Sequence, residues 1–458
     1  MHFTQYYLDC LSHASYLVGD PTTGRAVVVD PRRDVEEYLA DAKAAGLAIE
    51  GVILTHFHAD FVSGHLELAR ATGAWIGYGE VARPDFDFRP LADGERISLG
   101  ELELEIMSTP GHTPESISVL VYEHATDEVP YGVLTGDALF IGDVGRPDLL
   151  ASIGVSQEEL VTKLYDSVQH KLMGLPDQVR VFPAHGAGSA CGKNLSTERS
   201  STIGQQRLFN YACRPMSEQE FAALVTDDQP SAPAYFVHDA IVNRSQRPVR
   251  DLGAEIRPLD AEELAAVIAS GAAVLDSRDP MDFAAGHLAG SVNVGFGGRM
   301  AETAGMVIDH EREFVVVADP GQEQATALRM ARIGFDRCVG YLPDVETYLV
   351  EHPQSAEQSS RLTAIQMFEA IKDPEVQLVD IRNVGELVNG TVDGARHIPL
   401  AELPKRYREL DPQRPVLLHC AGGYRSSVGA SWLRQRGYED VSDVLGGWGA
   451  IETATANA

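Results

Sequence analysis

At 458 residues the chain is longer than one hydrophobic core usually organises, and length alone suggests roughly three domains. Its formal charge of −30 argues against a nucleic-acid partner, whose phosphates call for basic surfaces. No apolar run approaches the roughly 20 residues of a membrane span, so no membrane partner is expected.

The N-terminal MHFTQYYLDC has no basic segment followed by an apolar one, so no signal peptide is expected. Short apolar runs then alternate with helical patterns, which predicts α/β layers. RAVVVD (Arg25–Asp30) is followed by a helical stretch near Val35–Ala45 and by GVILTH (Gly51–His56). Four chemistry-bearing segments come in order: THFHADF (Thr55–Phe61), TPGHT (Thr109–Thr113), LTGDALF (Leu134–Phe140) and FPAHG (Phe182–Gly186). The apolar runs stop just before the candidate ligands. This places His56, His58, Asp60, His112, Asp137 and His185 in loops at strand ends, where α/β sheets hold their chemistry. One histidine alone is usually an ordinary loop or core residue; four histidine-bearing turns predict a metal site. His13 and His65 have no motif support and read as surface or structural residues.

These segments, spread over residues 1–240, resemble the metallo-β-lactamase fold, an αββα sandwich, and within it most resemble the persulfide dioxygenases. The resemblance implies one Fe(II) per chain, held by His56, His112 and Asp137. It also implies O2 and a low-molecular-weight thiol persulfide, of glutathione or coenzyme A type, as substrates. Two imidazoles and one carboxylate on one face of iron leave positions open for both. His58, Asp60 and His185 would then orient ligands, hold a water or bind the persulfide end. Hydrolases of this fold bridge two metals. Their second site would need Asp60, a histidine at position 61, His185 and a bridging Asp137, and this chain has Phe61. Thioester hydrolysis of the glyoxalase II type is therefore the weaker alternative.

IGDVGRPDLL (Ile141–Leu150) carries Arg146, which suits the carboxylate of a thiol such as glutathione or an ion pair with Asp143 or Asp148. HGAGSACGKNLS (His185–Ser196) carries Cys191 and Lys193 near the expected site. Cys191 is either a transient sulfur carrier or merely a small tolerated residue. The five cysteines are odd in number and lack CxxC spacing, which predicts a reduced, cytoplasmic setting. Cys10, Cys213 and Cys338 read as structural.

From Arg257 on, a second pattern begins. VLDSRDPMDFAAGHLAGSVNV (Val274–Val294) aligns without gaps to LVDIRNVGELVNGTVDGARHI (Leu378–Ile398). FVVVADPGQEQA (Phe314–Ala325) matches VLLHCAGGYRSS (Val416–Ser427). Two copies of one α/β domain of about a hundred residues are expected, at 258–350 and 361–455. EHPQSAEQSS (Glu351–Ser360) reads as a linker between them.

In the second copy, strand VLLH runs into Cys420, Ala421, Gly422, Gly423, Tyr424 and Arg425, and then into a helix. Backbone N–H groups and the helix dipole at such a start stabilise an anion; the glycines let the loop curl and Arg425 adds positive charge. This loop, with the Asp–x–Arg element in both copies, resembles rhodanese sulfurtransferases. The resemblance implies sulfur transfer through Cys420 among persulfide, thiosulfate and sulfite, in a direction left open. In the first copy Asp319 is read as standing where Cys420 stands, so that copy should be inactive in transfer. A homo-oligomer is also expected from the family.

Overall fold

The computed structural model describes residues 1–149 and 156–456; Leu150, which closes the Arg146 motif, lies outside them. The chain forms two compact units: residues 1–232 with 236–253, and residues 233–235 with 254–458. Among the described residues, no helix is long and apolar enough to cross a membrane.

The first unit holds two six-stranded sheets. One runs in the order β1 (His2–Leu8), β2 (His13–Asp20), β3 (Arg25–Val29), β4 (Ala48–Ile53), β5 (Trp75–Gly79) and β6 (Arg89–Leu91). The other runs β12 (Ser201–Thr202), β11 (Arg180–Pro183), β10 (Gly132–Gly136), β9 (Ile117–Tyr122), β8 (Glu103–Ser108) and β7 (Arg96–Ser98). Inner strands such as β3, β9 and β10 are buried on both faces because each face is covered. In β3, Val27 and Val29 point into the space between the sheets, while Ala26 and Val28 point outward beneath helix Glu36–Ala44. In β9, Val119 and Val121 point inward while Leu120 and Tyr122 meet helical residues such as Val161 and Leu164. Leu134 and Phe182 complete the inner layer from β10 and β11. The result is the αββα sandwich. Each fully buried aliphatic or aromatic side chain in it contributes on the order of 1.5–3 kcal/mol.

This layering positions the site. The histidine- and aspartate-bearing turns follow the C-terminal ends of β4, β8, β10 and β11. Packing of the two sheets therefore brings segments more than a hundred residues apart, such as those of His58 and His185, to one edge of the sandwich.

The second unit contains the repeat. The first copy has a parallel sheet in the order Val292–Asn293, Ala273–Asp276, Phe314–Val317, Cys338–Leu342. The second has Arg396–His397, Gln377–Asp380, Val416–His419, Val441–Val444 and one further strand, Ser360–Leu362. Asp276 pairs with Arg278 and Asp380 with Arg382, each at 2.6 Å, in equivalent places. The expected linker is partly ordered into the fold: Ala356–Glu357 pairs with His287–Leu288 of the first copy.

Strand register corrects one alignment detail. Asp276 lies opposite Val317, and Asp380 lies opposite His419. Val317 is thus the counterpart of His419, and Ala318 is the counterpart of Cys420. Asp319 matches Ala421, one residue later. The left-handed turn glycines agree with this, since Gly321 (φ 87°) falls on Gly423 (φ 90°). The first copy still lacks a thiol, but the residue in its place is a buried alanine.

Candidate metal centre

Three side chains converge at the sandwich edge. His56 Nε2 lies 3.8 Å and His112 Nε2 3.6 Å from the same Asp137 Oδ2. Their ligand atoms all fall within 4.8 Å of one another, and all three residues are buried. Among the described residues, His56 Nε2 and Asp137 Oδ2 have no hydrogen-bond partner, and the same holds for both nitrogens of His58 and Nε2 of His185. Buried polar atoms left in this state are costly unless something else satisfies them. A cation coordinated by His56, His112 and Asp137 would do so for the first two, and the donor set of two imidazoles and one carboxylate suits iron(II).

The surroundings fix which nitrogen faces inward. His56 Nδ1 donates to Thr55 Oγ1 (3.0 Å), which in turn donates to Asp30 Oδ2 (2.8 Å). His112 Nδ1 donates to the Arg146 carbonyl (2.9 Å). Each ring is thereby held with Nε2 as the free donor atom, the usual arrangement behind a metal-bound imidazole. Burial, and then the neighbouring His58, push His56 well below the ordinary imidazole range, which keeps that nitrogen unprotonated. Asp137 is buried, which by itself would raise its carboxyl. His185 and His56 outweigh this and hold it well below the ordinary carboxylate range.

Backbone approach matters at Gly145. A Cβ there would collide with the Asp137 carbonyl oxygen and stand 3.0 Å from His112 Nδ1. Only glycine lets the two ligand loops close on each other.

His58, Asp60 and His185 form a neighbouring cluster. His185 Nδ1 donates to Asp137 Oδ1 (2.7 Å), and its Nε2 stands 2.8 Å from Asp60 Oδ2. Burial disfavours charge on His185, but the Asp137 and Asp60 carboxylates outweigh it and raise its imidazole well above the ordinary range. His58 Nε2 lies 3.0 Å from Asp30 Oδ1. The fully buried Phe61 ring fills the remaining space, with its centroid 4.0 Å from that of His13, 4.5 Å from that of His58 and 6.4 Å from that of His185.

Several expected residues take other places. Arg146 grips Asp148 with two prongs (2.7 and 2.6 Å), and its remaining nitrogen donates to the Ala190 and Pro230 carbonyls. Its side chain is committed to the loop; its carbonyl is what serves His112. Lys193 Nζ donates to the carbonyls of Leu224 and Asp227, at the end of helix Glu218–Thr226, and does not face the metal residues. Cys191 does lie against the centre, grouped with Asp137 and His185. Burial, then the Asp60 and Asp137 carboxylates, push its thiol well up. His13 and His65 are buried, not at the surface.

Other contributors went unread. Asn243 Nδ2 donates to the carbonyls of His58 and Phe61, both at 2.8 Å, and pins their loop from 182 and 185 residues away. Asp30, at the end of β3 with a left-handed φ of 51°, aligns Thr55 through two bonds. The apolar run ending in Asp30 was the one sequence signal for it.

In the second unit, Cys420 Sγ is buried, accepts from Gly423 N (3.1 Å) and lies 3.6 Å from the Ser426 hydroxyl. Ala421 and Gly422 are exposed beside it. Among the described residues, Gly423 is the backbone donor on the sulfur, fewer than the loop composition led us to expect. Arg425 makes a bidentate pair with Glu386 (2.7 and 2.6 Å), so its charge is already partly neutralised.

Residues 8–185 match the metallo-beta-lactamase superfamily, and residues 260–344 and 363–454 match the rhodanese-like domain. Human "Persulfide dioxygenase ETHE1, mitochondrial" is 31% identical over 188 residues, which is 41% of this chain and 68% of that protein. A hydroxyacylglutathione hydrolase of Rhodospirillum rubrum is 34% identical over 175 residues, 37% of this chain and 60% of that protein. The crystal structure of a metallo-beta-lactamase from Staphylococcus aureus subsp. aureus COL is similar at 31% identity with a TM-score of 0.68, covering 75% of this chain and 99% of that one.

Gly145→Ala should weaken metal binding by about 10- to 100-fold, the usual cost of disturbing the support of a ligand. A chelator competition at unchanged thermal stability checks this. Phe61→His should admit a second ion; a metal count by mass spectrometry that does not rise above that of the parent chain would refute the role given to Phe61.

Proposed function

Because the chain belongs to the metallo-β-lactamase superfamily and carries two rhodanese-like domains, we propose that it oxidises a low-molecular-weight thiol persulfide with O2 and moves sulfane sulfur through Cys420. The overall reaction balances as R–S–SH + O2 + H2O giving R–SH, sulfite and two protons. The observation that carries this reading is the His56, His112 and Asp137 set, with Phe61 standing at the sequence position where a two-metal hydrolase of this fold would supply a further histidine. These three residues would hold iron(II), which when bound supplies the redox chemistry between O2 and sulfur.

The chain's own residues supply the setting. Thr55 and the Arg146 carbonyl orient the two imidazoles. His185 keeps a proton on Nδ1 against Asp137 Oδ1, so Oδ2 is left for the cation. Relatives of both persulfide-oxidising and thioester-hydrolysing kinds exist at similar identity; Phe61 favours the former.

In the second unit, the Cys420 thiolate attacks the outer sulfur of thiosulfate. The sulfur–sulfur bond breaks and its electron pair leaves with sulfite. A second thiolate then takes the sulfur from the Cys420 persulfide, and the pair returns to Cys420. The Gly423 N–H is positioned to stabilise the sulfur anion at each stage.

Oxygen uptake with glutathione persulfide should run at one O2 per sulfite formed, on protein of known iron content. Rapid anaerobic hydrolysis of a glutathione thioester without oxygen uptake would contradict the reading. Cys420→Ser should reduce thiosulfate-dependent sulfur transfer to the uncatalysed background; undiminished transfer would remove Cys420 from the mechanism.

A further inference from the structure

Within the second unit a cavity of about 820 Å³ opens between the two repeats. Its size suits a small organic ligand. The first repeat supplies Arg299, Glu302 and Asp319; the second supplies Glu386, Tyr424 and Arg425. The cavity is held in a fixed place against the Cys420 loop. Tyr424 Oη donates to the Gly295 carbonyl (2.8 Å), Ser427 Oγ to Asn293 Oδ1 (2.9 Å), and Trp432 Nε1 to the Val307 carbonyl (2.7 Å). The helix that starts at the sulfur loop is thus bonded into the repeat that holds Ala318 at the equivalent loop position.

The charges on the walls are unequal. Asp279, Glu302, Asp319 and Glu386 face Arg299 and Arg425, so acids outnumber guanidiniums. Such a cavity disfavours a polyanion and favours a ligand that brings its own cation. Arg425 is engaged by Glu386 through both prongs. Arg299 pairs with Glu302, yet its side chain stays 34% exposed. Asp319, half-buried on the same wall, is in no salt bridge among the described residues. One partly exposed guanidinium and one carboxylate that is in no salt bridge among the described residues match a ligand that carries both a carboxylate and an ammonium.

We propose that this cavity binds the amino-acid head of the small thiol that exchanges sulfur with Cys420, its carboxylate at Arg299 and its ammonium at Asp319. The inference rests on the sulfur-transfer reading above and gives it a substrate class. The first repeat, which holds Ala318 where a nucleophile would stand, becomes the recognition half of a shared site.

The test is sulfur transfer from thiosulfate by the full chain to four acceptors: cysteine, glutathione, cysteamine and 2-mercaptoethanol. Asp319→Asn should raise KM about tenfold for the three acceptors with an ammonium and less than about twofold for 2-mercaptoethanol. Arg299→Gln should raise KM about tenfold for cysteine and glutathione, which have carboxylates, and less than about twofold for cysteamine. Equal changes across all four acceptors, or none, would overturn the proposal. Should the parent chain transfer no sulfur at all, the transfer reading fails by itself. The cavity is then judged by calorimetry with S-methylcysteine, where binding weakened about tenfold by Asp319→Asn supports it and absence of binding overturns it.

Discussion

One carboxylate has to serve two sides, and the first unit is arranged around that demand. Asp137 Oδ2 faces His56 and His112, while Oδ1 accepts the His185 proton. In a buried site a carboxylate this crowded is stable only if every lone pair has a use. The imidazole on one side and a cation on the other provide that. The short contact to His185 fixes the carboxylate's rotation, so the metal-facing oxygen cannot turn away. The neighbouring loop can approach only because Gly145 has no side chain.

The same demand explains Phe61. His185 bonds to Asp137 and approaches Asp60, and His58 approaches Asp30. With these side chains turned toward carboxylates, an apolar ring completes the packing at less cost than another polar group with no partner. On the proposed reading, the chain keeps most polar residues of a two-ion site and uses them to support a one-ion site. Its relatives include both kinds of chemistry, so the difference lies in this local packing rather than in the fold.

Much of this was legible in the sequence. Alternating apolar runs gave the layers because strands buried on both faces leave few polar residues. The ligands stood out because each follows such a run. What stayed hidden depended on distance or on register. Asn243 reaches the His58–Phe61 loop from far along the chain, and no local pattern marks it. Arg146 had three candidate partners, a thiol's carboxylate, Asp143 and Asp148; Asp148 holds it, while Asp143 accepts from Lys193 N, Asn194 N and Tyr211 Oη. The silent repeat was read one residue out. Asp319 is the conspicuous residue there, but strand pairing and the left-handed glycines put Ala318 opposite Cys420.

The most direct measurement is anomalous X-ray scattering at the iron edge from crystals loaded with iron(II) under nitrogen. The account predicts a single peak per chain, bounded by His56, His112 and Asp137. A second peak among His58, Asp60 and His185 would contradict it.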